Sequence, residues 1–565
     1  MGLLDSIILA ATQALTAAPT PATVAPTLTP AEQAAAARIT AAELSGHIRF
    51  LADDLLEGRF PGTRGEQLAV KYLATQLETM GYAPGAADAA GNPSWFQTVP
   101  LIEHTASVPP TLTFTRGADK VTLPTGPGVS AEVVVRSLAD LERVTLQGAE
   151  LVYVGYGIVA PERGWDDYRH VDVKGKVVVL TNFNPPWAGE GVRLWYGRWD
   201  YKYLEAARHG AVGALLIHTT ESASYPWQVV ATSNKAVGFA LPKEADPDPR
   251  LPFQGWIAHD AAARLFALGG HDLAKEEAAA RDVGPKGARG VALGVTTTLD
   301  MPVARTRLEG VNVIGVMKGA DATLRDEAVL YTAHHDHFGV RNPPLPDQHN
   351  VFNGALDNAS GCAAALTIAR AIAATPPRRS VVVAFVAAEE QGLLGSHWLV
   401  SHSPVPPGRI AVDINLETAN IHGRTSDVGF LGLGRSTVDG VVKALAAAQG
   451  RTVHGDPAPD LGWFYRSDDF ELARVGVPGA RVMGGPTYLG RPAGWGQEQA
   501  AAYFKKNYHQ TTDVYPAQPA TWDLSGAVED AQLQLLIGLR LGNDPRLPAW
   551  NPGDEFEKAR KTAVR

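Results

Sequence analysis

Three near-continuous apolar runs, each ending in a side chain that binds metal ions, constrain this chain more than any other feature. Ala328–Ala333 leads into His334, Val381–Ala387 into Glu389 and Ile410–Leu416 into Glu417. Runs of this kind predict strands buried on both faces, and the Ala-rich stretch from Cys362 to Ala373 predicts a helix between two of them. The fold class that follows is α/β, a mostly parallel central sheet with helices on both faces. In such open sheets ligands gather beyond the carboxyl ends of the strands. His334, Glu389-Glu390 and Glu417 fall there.

The side-chain types narrow the chemistry. Imidazole with carboxylate suits zinc and its neighbours, whereas an all-oxygen set points to magnesium or calcium. Asp336, two residues after His334, is spaced to stand behind that imidazole and orient it. Asp357, in Asp357-Asn358-Ala359-Ser360-Gly361, can bridge two ions roughly 3.5–4 Å apart, the separation at which a shared water becomes a nucleophile at neutral pH. His509, far downstream in Tyr508-His509-Gln510-Thr511-Thr512-Asp513, can close the set. If Glu390 binds metal, Glu389 is free to act as general base. Each piece alone has an ordinary reading: a Glu-Glu pair opens many solvated helices, and Asn358 or Ser360 is a normal N-cap. Their joint occurrence at successive strand ends points to a metal-dependent hydrolase.

These segments resemble the catalytic domain of the zinc aminopeptidases of metallopeptidase family 28. The family's order is Ala-His-x-Asp, Asp-Asn-x-x-Gly, Glu-Glu-x-Gly-Leu-x-Gly-Ser, Asn-x-Asp and Tyr-His. It is met here at Ala333–Asp336, Asp357–Gly361, Glu389–Ser396, Asn415–Glu417 and Tyr508-His509. The resemblance implies His334, Asp357, Glu390, Glu417 and His509 as metal ligands for two divalent ions, expected to be Zn2+. It also implies Glu389 as the base and Tyr508 as a donor to the tetrahedral oxyanion, a role worth several kcal/mol in a preorganised site. Asp513 joins Asp336 as a carboxylate behind the ligands. Two departures stand out. Glu417 replaces the usual Asp and extends the carboxylate by about 1.5 Å, one carbon–carbon bond; Asp469 stands in Ser467-Asp468-Asp469-Phe470 where the family has His, and no substrate contact is carried onto it.

Leu472–Val482 reads as a helix end, a turn and a further sheet strand. Trp463, Phe464 and Tyr465 are read as core ahead of a pocket wall. Upstream, Thr40 and Glu43 suggest a capping box, followed by two amphipathic helices with Gly58-Arg59 and Pro61-Gly62-Thr63 between them, as at the family's start. Between about 130 and 295 lies a β-rich region that resembles an inserted protease-associated domain, with Lys174–Val178 and Gly210–Ala214 as its recurrent patterns. The expected division is a leader over 1–35, a discontinuous catalytic domain over 36–125 and 300–545, and the insertion over 130–295.

The length of 565 residues leaves room for two unequal domains. Fifty basic against 59 acidic side chains give a net charge of −9 and no basic patch for nucleic acid. Cys362 is the single cysteine, so neither an intrachain disulfide nor a thiolate metal site is available. Residues 7–18 are moderately apolar and run into Ala/Pro/Thr-rich sequence. Asp5 stands where a signal peptide has basic residues, and the stretch is too short to span a membrane. Location outside the cytoplasm, periplasmic or secreted, therefore follows from the resemblance alone.

The leading function is that of an aminopeptidase releasing N-terminal residues from peptides by metal-activated water. The alternatives are a carboxypeptidase or amidohydrolase, a glutaminyl cyclase on the same scaffold, or a binding homologue without catalysis. A carboxypeptidase needs cations for the substrate's free carboxylate, for which Arg466 and Arg481 are candidates. Substrate-contacting residues and oligomeric state are not legible in the sequence.

Overall fold

The three apolar runs form strands of one sheet in the computed structural model, which describes residues 27–564 apart from 107–109, 126–129, 190–191, 224, 234–236 and 285. Helices α1 (Ala41–Leu51) and α2 (Arg64–Thr79) come first, then strand β1 (Phe96–Ala106). A second group follows: β2 (Val133–Arg136), β3 (Arg143–Tyr153), β4 (Val177–Thr181), α3 (Trp199–Arg208), β5 (Gly213–His218) and β6 (Phe253–Ala258). Strand β7 (Val291–Met317) leads back to β8 (Ala328–His334), α4 (Ser360–Ala374) and β9 (Ser380–Val386). The chain continues through α5 (Leu394–His402), β10 (Ile410–Asn415), α6 (Asp469–Arg474) and α7 (Ser525–Asn543).

Strand β8 lies between β9 and β10 and is parallel to both, with His334 opposite Val386 and Thr332 opposite Asn415. Their carboxyl ends therefore open on one edge. Val329, Tyr331 and Ala333 face a core shared with Val383, Phe385, Val412, Ile414 and the Ala-rich side of α4. Leu330, Val382 and Ala384 pack on the other face with Leu399 of α5 and Leu472 of α6. Burial on both faces is why these strands carry no polar alternation. Beyond β9 the sheet turns antiparallel, where the second half of β7 pairs with both β9 and β1.

The first half of β7 pairs with β3 in the other group. One 27-residue strand thus runs through both sheets, and the boundary anticipated between 295 and 300 falls inside it. In that second group β3, β4, β5 and β6 are parallel neighbours, with β2 antiparallel at the edge. Val177, Val179 and Leu215 face one core while Val178, Leu180 and Leu216 face another. The region anticipated as β-rich is a layered α/β unit.

Some local expectations shift. Thr40 caps α1 through the Glu43 amide at 3.3 Å, but the Glu43 carboxylate turns to Arg370 of α4, so half the capping box forms. Within the anticipated further strand, Gly479 makes a parallel bridge to Asp413 of β10, with Asp413 donating to the Pro478 oxygen and Ala480 donating to the Asp413 oxygen, and Val482–Gly484 beyond it pairs antiparallel with Asp427–Phe430 in a small separate sheet. Of the anticipated leader over 1–35, residues 1–26 lie outside the described residues. Pro30–Ala36 is a helix capped by Thr29 and Glu32. No helix among the described residues is long and apolar enough to cross a membrane.

Candidate metal centre

His334 ends β8, and its Nε2 lies 3.3 Å from Asp357 Oδ1. Asp357 precedes α4 in a turn; its Oδ2 lies 3.3 Å from His509 Nε2, which is also 3.2 Å from Glu390 Oε2. One carboxylate therefore stands between two imidazoles contributed by distant parts of the chain. Glu417 does not join this contact set. Its Oε1 accepts from the Ser467 hydroxyl and its Oε2 from Arg481 at 3.1 Å.

The supports lie one layer out. Asp513 accepts the main-chain amides of Leu356 at 3.0 Å and Asp357 at 3.1 Å, which fixes the turn that presents Asp357. Asn358 accepts the Gly361 amide at 3.0 Å and so serves as the cap of α4. Asp336 meets His334 Nδ1 through its main-chain oxygen at 3.3 Å, with the carboxylate 3.8 Å away. Its carboxylate instead receives the amides of Glu389 at 3.1 Å and Glu390 at 3.3 Å, anchoring the turn after β9. Tyr508 stacks on His509 with ring centroids 3.7 Å apart.

Two participants carry no site role in the sequence reading, although Arg59 stood there in the Gly58-Arg59 signature. His337 Nδ1 shares a hydrogen bond with Glu390 Oε1 at 2.7 Å, and its buried Nε2 has no hydrogen-bond partner among the described residues. With Asp357 and Glu390 it forms a group whose ligand atoms all lie within 4.8 Å of one another. Its signal was present as the third histidine of His334-His335-Asp336-His337, one residue beyond the Ala-His-x-Asp pattern. Arg59, 1% exposed, donates to the main-chain oxygens of His335, Asn353 and Gly354, tying the loop after α1 to the strand end. That contact spans 276 residues and leaves no local pattern in sequence.

The electrostatics are those of a carboxylate-rich site. Burial raises Asp357, but hydrogen bonds to His334 and His509 outweigh it and hold the carboxyl well below its usual range. Burial pushes Glu390 well up, reinforced by Asp357 and Glu389; Glu389 is likewise pushed well up by burial, against the pull of His334. Asp468, buried beside Ser396, is pushed up to about 7 by burial although His334 and Ser396 draw it down. Tyr508 is raised by burial and by Asp357, Glu390, Glu389 and Glu417. Like charges this close disfavour one another's ionised form. A divalent cation among two imidazoles and these oxygens would relieve that repulsion, and the nitrogen–oxygen donor set is one that zinc accepts.

Phe464 and Tyr465 are core, packed with Phe470, Trp550 and Phe556. Trp463 is partly exposed and meets Phe504, which in turn meets Tyr508 with centroids 5.1 Å apart. Arg466 lies over the Trp463 ring at 5.0 Å, and its Nε is buried without a partner.

Residues 312–536 match the model of peptidase family M28. A probable zinc metalloprotease of Leptosphaeria maculans is 36% identical over 88 residues, 16% of this chain and 19% of the relative. Another, of Pyricularia oryzae, is 28% identical over 179 residues, 31% of each protein. The chain thus spans less than a third of these curated relatives. Among solved structures, the aminopeptidase from Aneurinibacillus sp. strain AM-1 is similar at 18% identity and a TM-score of 0.49, covering 91% of this chain and 97% of that one.

Proposed function

We propose that this protein is a zinc-dependent exopeptidase that releases N-terminal residues from peptides. The observation that carries the reading is the meeting of His334, Asp357, Glu390 and His509 at 3.2–3.3 Å beyond the parallel strands. His509, Glu390 and Asp357 would hold one ion, and His334 and Asp357, with Glu417 once released from Ser467 and Arg481, would hold a second. When bound, such ions supply Lewis acidity and lower the pKa of a water to near neutrality. Glu389, anchored through its amide by Asp336, takes the proton and delivers it to the leaving amine. Tyr508 stays protonated among the carboxylates that raise it and donates to the developing oxyanion. Asp513 and Asp336 position Asp357 and the Glu389-Glu390 turn.

The unit over 130–295 acts as an inserted protease-associated domain that restricts access to this site, and the protein works outside the cytoplasm on peptides. A second reading, a carboxypeptidase, is favoured by Arg466. Its Nε has no partner, and it lies close enough to Tyr508 and Arg198 for their charges to act on it. A peptide's free carboxylate is a natural counter-ion there.

Hydrolysis of matched peptides that are free, N-acetylated or C-amidated separates the readings. An aminopeptidase cleaves the free and amidated peptides and spares the acetylated one. Cleavage of the acetylated peptide with loss of the amidated one assigns a carboxypeptidase.

A further inference from the structure

The two sides of the metal centre differ in what their carboxylates touch. Among the described residues, the side-chain oxygens of Asp357 and Glu390 pair with imidazoles alone. Glu417 has both oxygens committed, one to Ser467 and one to Arg481. Ser467 is itself held by the Asn415 amide group, so the arrangement is braced from the end of β10.

Arg481 is 4% exposed and donates its other terminal nitrogen to the Trp463 main-chain oxygen. On its far side stands Asp469, 1% exposed, with Oδ1 3.7 Å from the same guanidinium nitrogen that binds Glu417. Neither Asp469 oxygen has a hydrogen-bond partner among the described residues. A buried carboxylate with idle oxygens beside a buried arginine is an alternative acceptor already in place. Glu417 and Asp469 thus face the same Arg481 guanidinium from two sides.

We propose that Arg481 is a positioning residue and built-in counter-ion for the second metal position, pairing with Glu417 until a divalent cation takes that carboxylate and then pairing with Asp469. Loading is therefore stepwise: the ion held by His509, Glu390 and Asp357 binds first and tightly, and the ion that needs Glu417 binds second and more weakly. A cation approaching Glu417 must displace an ion pair and meets a fixed guanidinium charge. Breaking a buried pair outright is costly, and Asp469 lowers that cost without abolishing it. This inference rests on the metal-binding reading given above.

Titration of the chelator-stripped full-length protein with Zn2+ in a calorimeter, with metal content read by elemental analysis, tests the proposal. The wild type should bind two ions, the second about tenfold or more weaker, a gap of 1.4 kcal/mol or above. Arg481→Gln should tighten the second step to within about threefold of the first, with Arg481→Lys intermediate. Asp469→Asn, which leaves the Arg481–Glu417 pair intact and removes the alternative acceptor, should weaken the second step about tenfold further. Should Arg481→Gln fail to fold, Asp469→Asn decides alone. Equal affinities in the wild type, or a second step unmoved by both substitutions, would overturn the proposal. Absence of any bound Zn2+ would instead sink the metal-binding reading on which it stands.

Discussion

Two of the histidine–carboxylate clusters among the described residues differ in charge balance. One is at the strand ends; the other joins α5 and α6 to the loop before β6, where His397 meets Glu471 at 2.8 Å and Asp246 at 3.4 Å. In the second cluster each acid has a basic partner: Arg474 pairs with Glu471 and Asp248, Arg250 with Asp246, and Arg208 with Asp248. The strand-end cluster gathers Asp336, Asp357, Glu389, Glu390 and Asp468 around three imidazoles; Arg59 is spent on main-chain oxygens, and Arg481 at the margin pairs with Glu417 and the Trp463 main-chain oxygen. A balanced network is finished by its own side chains. An unbalanced one calls for a cation from outside.

The largest expected effect tests that deficit directly. Glu389→Gln should lower kcat by about a thousandfold or more, within the range general-base and electrostatic losses reach together, with Zn2+ content measured to be unchanged. Glu390→Gln should remove the tight ion and activity with it. Because burial raises Glu390 well above its usual value, the metal-free variant should melt no lower than the metal-free parent, whereas the matching change in a balanced cluster should destabilise. A lower melting temperature for the Glu390 variant would break the contrast.

Asp513→Asn alters the turn that presents Asp357 without removing a ligand. Zn2+ affinity should fall about 10–100-fold, as for other groups that support metal ligands, in a competitive chelator titration. The smallest effect belongs to the balanced cluster. His397 is raised to about 10 because its bonds to Asp246 and Glu471 outweigh burial. The folded value lies above the unfolded one of 6.5, so its stabilisation is complete below about pH 6.5 and fades as pH rises toward 10. His397→Ala should cost about 1–3 kcal/mol at neutral pH and flatten that alkaline loss in urea melts, with Zn2+ affinity unmoved.

How much was legible in sequence follows the same division. The strand ends were legible because doubly buried strands announce themselves as apolar runs and their ligands follow directly. His334, Asp357 and Glu390 each lie within a few residues of such a signal. The antiparallel half of the sheet was not, since β7 pairs with β1 across some 200 residues of intervening chain and is shared with the second sheet. The contacts of Arg59, Ser467 and Arg481 were hidden for the same reason, although Gly58-Arg59 stood out as a signature and Arg481 as a cation for a substrate carboxylate: each acts on a residue with no fixed sequence offset. The Asp336 carboxylate was assigned to an imidazole two residues away, while its hydrogen bonds go to amides more than fifty residues on. The seam around His397 left no trace, because ion pairs between surface-type residues look like any solvated face until the partners meet.

The central claim is that the strand-end cluster needs a divalent cation to work. Hydrolysis of an unblocked peptide amide should be followed before chelation, after chelation, and after Zn2+ is restored. Activity that vanishes with the metal and returns with about one or two equivalents of Zn2+ is the result this account predicts. Full activity in the verified metal-free protein would contradict it.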